Sequence, residues 1–145
     1  MDSETYFKSL PFIFFVTTTF TMAEPHYLFV YGWLKTEHQH RLPFSMPRKL
    51  IGKAWVSGGL YYVAEYPGIR LDETGQVWGE LYEVPDEYDW TDMDEYEYAL
   101  PTVTENAEYQ RIQTQAHIDG TSYYCWIYEY LHPLSKDKCI DSGEF

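Results

Sequence analysis

Glu97 is the acidic residue whose position best suits proton transfer. Apolar residues recur at helical spacing in the segment from Trp90 to Leu100. A helix advances about 100° per residue, which places Glu97 on the apolar face beside Met93 and turns Glu95 to solvent. A carboxyl group held against apolar side chains has its ionised form disfavoured and its pKa raised, which suits a general acid or base near neutral pH. The alternative is a position at the rim of this face, where Glu97 pairs with an arginine or a backbone amide.

A second candidate site is the turn at Tyr31–Lys35 (YGWLK), which follows an apolar and aromatic strand predicted at Tyr27–Tyr31. Gly32 stands where this strand must turn. A glycine there lets a ligand approach the backbone closely, with amide N–H groups available to an anion or a polarised carbonyl oxygen. An ordinary tight turn has the same pattern, so this motif alone leaves both interpretations open.

Other groups of polar residues are less specific. His38 and His40 have no cysteine or acid cluster nearby to complete a zinc site, so we expect exposed loop histidines and no metal. We expect Arg111 to form a salt bridge with an acid of the helix, with a substrate contact as the alternative. We expect a solvated helix face for four acids that lack the glycine of a calcium-binding loop, Asp86, Asp89, Asp92 and Asp94.

The composition excludes several classes of partner. Among 145 residues, 23 are acidic and 10 are Lys or Arg, which gives a net charge of -13. Such a surface repels phosphate backbones and anionic lipids, so we expect neither nucleic-acid nor membrane binding. The two cysteines, Cys125 and Cys139, are too few for a disulfide framework, and we expect a cytoplasmic protein. Aromatic residues make up 19% of the chain, so the core or a pocket lining must be largely aromatic.

The length fits a single domain, which we place at residues 23–134. Residues 1–22 are treated as an N-terminal extension of open status, with Met22 as an alternative start. Their apolar run is shorter than the roughly 20 residues that span a bilayer, and it lacks the positive segment of a secretion signal. Residues 135–145 are polar and non-periodic, so we expect a loosely held tail.

Strands dominate the pattern between these ends. We predict strands at 76–84, 110–117 and 122–130, and either two short strands or one bent strand within 49–63. Asp119-Gly120 predicts a hairpin turn between the last two strands. We also predict a turn at Tyr66-Pro67-Gly68, a helix over Pro85–Leu100 and a weaker helix over Lys35–Arg41.

An ordered series of motifs runs through the chain: YGWLK at 31–35, YPGI at 66–69, VWGELY at 77–82, MDEYE at 93–97, YQR at 109–111 and WIY at 126–128. Each motif is common alone, but the ordered set resembles the gamma-glutamylcyclotransferase-like family, nearest its gamma-glutamylamine cyclotransferase branch. The resemblance implies an α+β fold, a small mixed-strand β-barrel flanked by short helices.

The resemblance also implies a cavity with a single catalytic glutamate. Carried over residue by residue, the catalytic glutamate is Glu97, and the substrate-binding residues are Tyr31, Gly32, Trp33 and Leu34. Two positions depart from the family pattern. Trp33 stands where Thr or Ser is usual, and Tyr98 follows the glutamate where glycine is usual.

The reaction implied is intramolecular. The α-amine of a γ-glutamyl group attacks its own γ-carbonyl, 5-oxoproline forms and an amine leaves, with Glu97 moving the protons. The implied partner is a small γ-glutamyl substrate, and the reaction requires no metal or cofactor. The alternative is a non-catalytic module that keeps the cavity to bind or sense a small ligand. The sequence leaves the oligomeric state and the identity of the leaving amine open.

Overall fold

Eight strands and one α-helix make up the described part of the chain, residues 25–35 and 42–145 of a computed structural model. A 3-10 turn at Lys136–Lys138 follows them. In chain order the elements are β1 (Tyr27–Val30), β2 (Lys49–Ser57), β3 (Gly59–Tyr62), β4 (Pro67–Arg70), β5 (Gln76–Glu83), α1 (Thr91–Glu97), β6 (Ala99–Leu100), β7 (Tyr109–Ile118) and β8 (Thr121–Tyr130).

Five of these strands close into a barrel. Their order is β2-β5-β1-β8-β7, and β7 pairs back to β2. The barrel is mixed because β1 runs parallel to β8 but antiparallel to β5. The short β6 lies parallel to β7, and β3 and β4 form a separate two-stranded sheet. The predicted fold, a small mixed-strand β-barrel flanked by short helices, is confirmed, with α1 and the 3-10 turn as the helices of the described residues.

The β7–β8 hairpin follows from its turn chemistry. Asp119 and Gly120 both have positive φ, 48° and 83°, as a two-residue hairpin loop with the twist of the flanking strands requires. Ten residue pairs are in register from Tyr109↔Tyr130 to Ile118↔Thr121. The predicted hairpin is confirmed, and so is the division of residues 49–63 into two strands.

Two apolar clusters lie on opposite faces of the barrel wall. The first fills the interior and includes Phe29, Leu81 and Ile127. The second packs α1 against the outside of β1 and β8 through residues such as Leu28 and Met93. Alternate residues of β1 therefore serve different clusters, as the two-residue period of a strand requires. This outer cluster fixes the position of α1 relative to the end of β1.

The predicted helix over Pro85–Leu100 is too long at both ends. The helix begins at Thr91, where the Asp89 carboxylate accepts hydrogen bonds from the Thr91 amide and hydroxyl at 3.0 and 2.8 Å. It ends at Tyr98, which has left-handed backbone geometry, and Leu100 belongs to β6 instead. Proline and acids at 85–87 are typical of a helix start, but here they belong to the loop before it.

The turn predicted at Tyr66-Pro67-Gly68 is also displaced. Pro67 and Gly68 lie in β4 and pair with β3, and the turn precedes them, closed by a 2.9 Å hydrogen bond from the Val63 amide to the Tyr66 carbonyl. A proline is compatible with this position because it is the first residue of its strand.

Residues 135–145 pack against the barrel, so the expectation of a loosely held tail is wrong. The Ile140 amide donates to the Leu60 carbonyl at 2.7 Å, and the Trp78 amide donates to the Gly143 carbonyl at 2.7 Å. Ile140 is buried in the interior cluster. The segment is held both by these backbone hydrogen bonds and by the packing of its apolar side chains, Ile140 and Phe145.

Several predictions fall on residues outside the described part of the chain. These are the N-terminal extension, most of the helix predicted at Lys35–Arg41, and the two histidines His38 and His40. Within residues 25–35 and 42–145, no helix has the length and apolar character needed to cross a membrane.

Candidate functional site

A cavity of about 370 Å³ lies between the end of β1 and the end of α1. This volume is in the range of small-molecule sites. The loop after β1 forms one wall, the last residues of α1 form another, and β4, β7 and β8 contribute the rest. The structure brings together all five residues that the sequence nominated, since the cavity lining includes Tyr31, Gly32, Trp33, Leu34 and Glu97.

Tyr31 is fixed in the cavity wall by two hydrogen bonds. Its hydroxyl donates to the Tyr128 carbonyl at 2.6 Å and accepts from the Ile69 amide at 3.3 Å. Burial, with a further contribution from the negative charge of Glu97, raises the pKa of Tyr31 well above its ordinary value. The phenol therefore stays protonated and serves as a rigid polar element of the wall.

Gly32 allows the loop after β1 to pack closely against Pro67 of β4. A Cβ at this position would lie 2.8 Å from Cγ of Pro67, so the loop after β1 can pack on β4 only with glycine here. The Lys35 amide donates to the Gly32 carbonyl at 3.0 Å and closes the turn. The space that the glycine leaves is thus taken by Pro67.

Trp33 stands in the cavity wall and is half-buried. Its ring meets the ring of Phe145 edge-on, with centroids 5.4 Å apart. The Phe145 carbonyl also accepts a 3.1 Å hydrogen bond from Nζ of the buried Lys35. The last residues of the chain therefore hold this loop in place, and the cavity remains open beside the indole.

Glu97 is the last residue of α1 and is half-buried in the cavity wall. Within the described chain its carboxylate has neither an arginine partner nor a backbone amide. Burial raises the pKa of Glu97 to about 8, with further contributions from the negative charges of Glu108 and Asp94. The group can therefore both accept and release a proton near neutral pH.

Asp94, one turn earlier on α1, is fully buried and heavily bonded. Its carboxylate accepts hydrogen bonds from Arg111 at 2.8 and 3.2 Å, from the Tyr128 hydroxyl at 2.7 Å and from the Thr102 hydroxyl at 2.7 Å. The expectation that Asp94 faces solvent is wrong. The prediction of a salt bridge for Arg111 is confirmed.

The Arg111 side chain is enclosed by aromatic rings. Its guanidinium lies 4.9 Å from the ring centroid of Trp90 and 4.4 Å from that of Trp126. A planar guanidinium stacks well on such rings while it donates to a carboxylate in its own plane. The pair with Asp94 therefore links α1 to β7 and fixes the helix that carries Glu97.

Glu108 is a cavity residue that the sequence did not single out. It accepts a 3.2 Å hydrogen bond from the Tyr66 hydroxyl, and its own amide donates to the Tyr98 carbonyl at 2.8 Å. The available signal was its position next to Tyr109, which the YQR motif contains. Glu108 nevertheless read as one more member of the acidic stretch.

Five further tyrosines line the cavity. Tyr109 donates to the Pro67 carbonyl at 2.7 Å, and Tyr128 donates to Asp94. Burial raises the pKa of both phenols far above the ordinary value, so both remain neutral. The other three are Tyr66, Tyr96 and Tyr98. The high aromatic content predicted a tyrosine-rich pocket in general, but it could not specify which tyrosines would meet.

Tyr98 is the residue at which α1 ends, with φ 52° and ψ 52°. This left-handed geometry is disfavoured for residues with a Cβ and natural for glycine. Its side chain is 60% exposed and still contributes to the cavity lining, so the cavity opens to solvent there. The glycine that the resemblance implies at this position would suit this backbone geometry.

Comparison with known proteins identifies relatives of both sequence and fold. The family model described as gamma-glutamyl cyclotransferase, AIG2-like, matches residues 28–145. No curated protein gives a significant match to the sequence.

Three solved structures illustrate the shared fold. YkqA from Bacillus subtilis aligns with a TM-score of 0.57 and 23% identity over 84% of this chain and 40% of YkqA. An uncharacterized protein from Pyrococcus horikoshii gives 0.56 and 20%, over 82% of this chain and 88% of its own. A gamma-glutamyl cyclotransferase gives 0.55 and 18%, over 75% and 68%. The present chain thus spans 40% of the length of YkqA, and at these identities the likeness concerns the fold alone.

Proposed function

This chain belongs to the AIG2-like gamma-glutamyl cyclotransferase family, and on that premise we propose that it converts a γ-glutamyl amide into 5-oxoproline and a free amine. The observation that carries the proposal is the carboxyl group of Glu97 in the cavity wall, which has no hydrogen-bonding partner among the described residues and has its pKa raised to about 8. Most carboxylates are fully ionised at neutral pH, whereas this one holds or gives up a proton there.

Glu97 acts first as a base and then as an acid. It takes a proton from the α-ammonium of the substrate, and the amine nitrogen attacks the γ-carbonyl carbon to form a five-membered ring. The ring nitrogen of the tetrahedral intermediate releases its surplus proton to solvent, the bond to the original amide nitrogen breaks, and that nitrogen leaves as an amine with a proton from Glu97. One residue suffices because the proton taken in the first step is returned in the second.

The loop after β1 positions the substrate. Backbone amides of residues 32–34 bind the substrate carboxylate or the oxyanion of the intermediate, and the phenol of Tyr31 forms the adjacent wall. Holding the flexible glutamyl chain in a folded conformation brings the amine to its own carbonyl, which is largely a proximity effect.

The test is release of 5-oxoproline from a panel of γ-glutamyl amines and γ-glutamyl dipeptides. We expect turnover by the wild-type protein and a loss of about 10²- to 10⁴-fold in Glu97→Gln, which retains the shape of the side chain but cannot transfer a proton. The matched control is Glu95→Gln, on the same helix and facing solvent. Retained 5-oxoproline release by a folded Glu97→Gln variant would sink the assignment.

A second candidate function is a binding or regulatory module that retains the cavity without the reaction. The observation that favours it is the indole of Trp33 in the cavity wall, where the family usually has Thr or Ser. Under this proposal, γ-glutamyl compounds bind tightly to the wild-type protein and no 5-oxoproline forms. Calorimetric binding measured beside the turnover assay separates the two functions.

A further inference from the structure

We propose that Phe145 is a positioning residue for the cavity: its ring holds the indole of Trp33 in the cavity wall, and the affinity for substrate depends on this placement. The inference rests on the proposed function where it concerns a γ-glutamyl substrate. The placement of the indole itself can be measured on the protein alone.

Phe145 contacts the loop after β1 at two points. Its ring meets the ring of Trp33 edge-on, with centroids 5.4 Å apart, and its carbonyl accepts a 3.1 Å hydrogen bond from Nζ of Lys35. Lys35 is only 5% exposed, so water competes little for this hydrogen bond. The two contacts lie on either side of Leu34, which lines the cavity. Phe145 therefore holds the part of the loop that faces the ligand space.

The segment that carries Phe145 is anchored to the barrel independently of this loop. The Trp78 amide donates to the Gly143 carbonyl at 2.7 Å. Gly143 has a φ of 72°, and a Cβ there would overlap the Gln76 carbonyl oxygen, so the segment lies against β5 only with glycine at this position. Phe145 also packs on the interior cluster and meets the ring of Tyr62 at 6.2 Å between centroids. Its ring is thus a fixed support for the indole.

Trp33 needs such a support because of where it stands. Its side chain lines the cavity and is half-buried. A change of rotamer would carry the indole into the space that a ligand needs. The Thr or Ser that the resemblance implies at this position is too small to obstruct the cavity. A ring that holds the indole in the wall therefore keeps the cavity open.

The consequence for binding follows from populations. When the indole occupies the cavity in a fraction of the molecules, only the remaining molecules bind substrate, and the apparent Kd rises in inverse proportion to that remainder. The strength of an edge-on aromatic pair corresponds to a change of about two- to tenfold. Phe145 itself lies outside the described lining of the cavity, so its effect falls on binding and not on the chemical step.

A purely structural role for Phe145 has to be separated from this one. If the residue only supports the fold, its loss weakens binding by the same factor whichever residue stands at position 33. If it acts through the indole, its loss matters only while Trp33 is present.

The experiment is a double-mutant cycle of Phe145→Ala and Trp33→Thr, with γ-glutamyl-butylamide as the probe. Release of 5-oxoproline gives kcat and KM, and calorimetry in a Glu97→Gln background, which prevents turnover, gives Kd. We expect Phe145→Ala to raise KM and Kd by about three- to tenfold and to change kcat by less than about twofold. In the Trp33→Thr background the same substitution should change KM and Kd by less than about twofold.

Three further variants assign the effect to the ring. Phe145→Tyr keeps the edge-on ring and should restore the wild-type KM, whereas Phe145→Leu keeps apolar bulk without a ring and should resemble Phe145→Ala. The matched control is Glu144→Gln on the same segment, which removes only the exposed ion pair with Lys53 at 3.4 Å. It should leave KM and Kd unchanged. Melting temperatures show that each variant is folded.

The placement of the indole is followed separately by ¹⁹F NMR of protein labelled with 5-fluorotryptophan. The resonance of Trp33 is assigned by its absence from the spectrum of Trp33→Thr. We expect Phe145→Ala to shift or broaden this resonance and to leave the resonance of Trp126, in the outer cluster, unchanged.

An unchanged KM and Kd in Phe145→Ala overturns the proposal, as does an equal loss in the Trp33→Thr background. If the wild-type protein releases no 5-oxoproline, the cyclotransferase function fails and the cycle in Kd decides the proposal. If the amide does not bind either, the ¹⁹F spectrum decides it: a Trp33 resonance that is unchanged in Phe145→Ala overturns the placement of the indole by Phe145, and a shifted one supports it.

Discussion

Two carboxylates on α1, Asp94 and Glu97, lie one turn apart and have opposite environments. Asp94 is fully buried and its oxygens accept four hydrogen bonds, two of them from Arg111. Glu97 is half-buried and faces a cavity, without a hydrogen-bonding partner in the described chain. The same helix therefore carries one carboxylate that is compensated and one that is not.

The difference indicates which acid can do chemistry. The ion pair of Asp94 ties α1 to β7, so both oxygens of this carboxylate are engaged in holding the helix. Burial disfavours the ionised form of Glu97, and the negative charges of Glu108 and Asp94 add to this effect, so its pKa is raised to about 8. Asp94 fixes the helix through its ion pair, and the helix in turn holds Glu97 in the cavity wall.

The largest effect on the free energy of unfolding is expected from removing the charge of Asp94. Asp94→Asn leaves the buried guanidinium of Arg111 without its counter-charge, and the loss of one partner of a buried ion pair costs about 3–5 kcal/mol. Urea denaturation measures this free energy of unfolding. Asp92→Asn, on an exposed position of the same helix, is the control and should change stability by less than about 0.5 kcal/mol. A cost below about 1 kcal/mol for Asp94→Asn would mean that the pair does not hold the helix.

An effect of intermediate size on the free energy of unfolding is expected for Glu97→Gln. Its sign is opposite to that of Asp94→Asn. Glu97 keeps its proton in the folded protein up to about pH 8, while the unfolded chain ionises near the ordinary value of 4.5. The wild-type protein therefore has its full stability below pH 4.5 and loses stability as the pH rises to about 8. Glutamine does not titrate, so the free energy of unfolding of Glu97→Gln relative to wild type should rise with pH by at most about 1.4 kcal/mol per unit.

Denaturation curves of both proteins at pH 5, 6.5 and 8 provide this comparison. A difference that is independent of pH would show that Glu97 ionises in the folded protein as it does in the unfolded chain. Glu95→Gln, at an exposed position of the same helix, is the matched control for the substitution itself.

The smallest effect is expected at the end of the helix. Tyr98→Gly removes a left-handed residue with a Cβ, a strain of about 1–2 kcal/mol, but adds the greater unfolded-state entropy of glycine, about 0.5–1 kcal/mol. We expect the melting temperature to stay the same or rise slightly. A clear fall would mean that the Tyr98 side chain supports the fold and that its exposed position at the cavity is incidental.

The sequence was sufficient for features that depend on local chemistry. Asp119-Gly120 predicted the hairpin because the tight turn needs positive φ at both residues, which is a property of the turn alone. The helical period placed Glu97 on the face that turns to the interior and Glu95 on the face that turns to solvent. The ordered motifs predicted the barrel fold through the family that they resemble.

Features that depend on distant partners could not be predicted. Asp94 looked like a member of a solvated acidic cluster because its neighbours are acidic, and its partner Arg111 comes from a different element. Glu108 joins the cavity only because its amide bonds to Tyr98. The segment 135–145 is held by backbone hydrogen bonds and by two isolated apolar residues, Ile140 and Phe145, which form no periodic pattern in the sequence.

The most direct test of the contrast between the two acids is a ¹³C NMR titration of the Glu97 carboxyl carbon, assigned by its absence from the spectrum of Glu97→Gln. We expect a midpoint at about pH 8, far above the ordinary value of 4.5. A midpoint near 4.5 would contradict it, because Glu97 would then be an ordinary ionised carboxylate and α1 would present no acid suited to returning a proton at neutral pH.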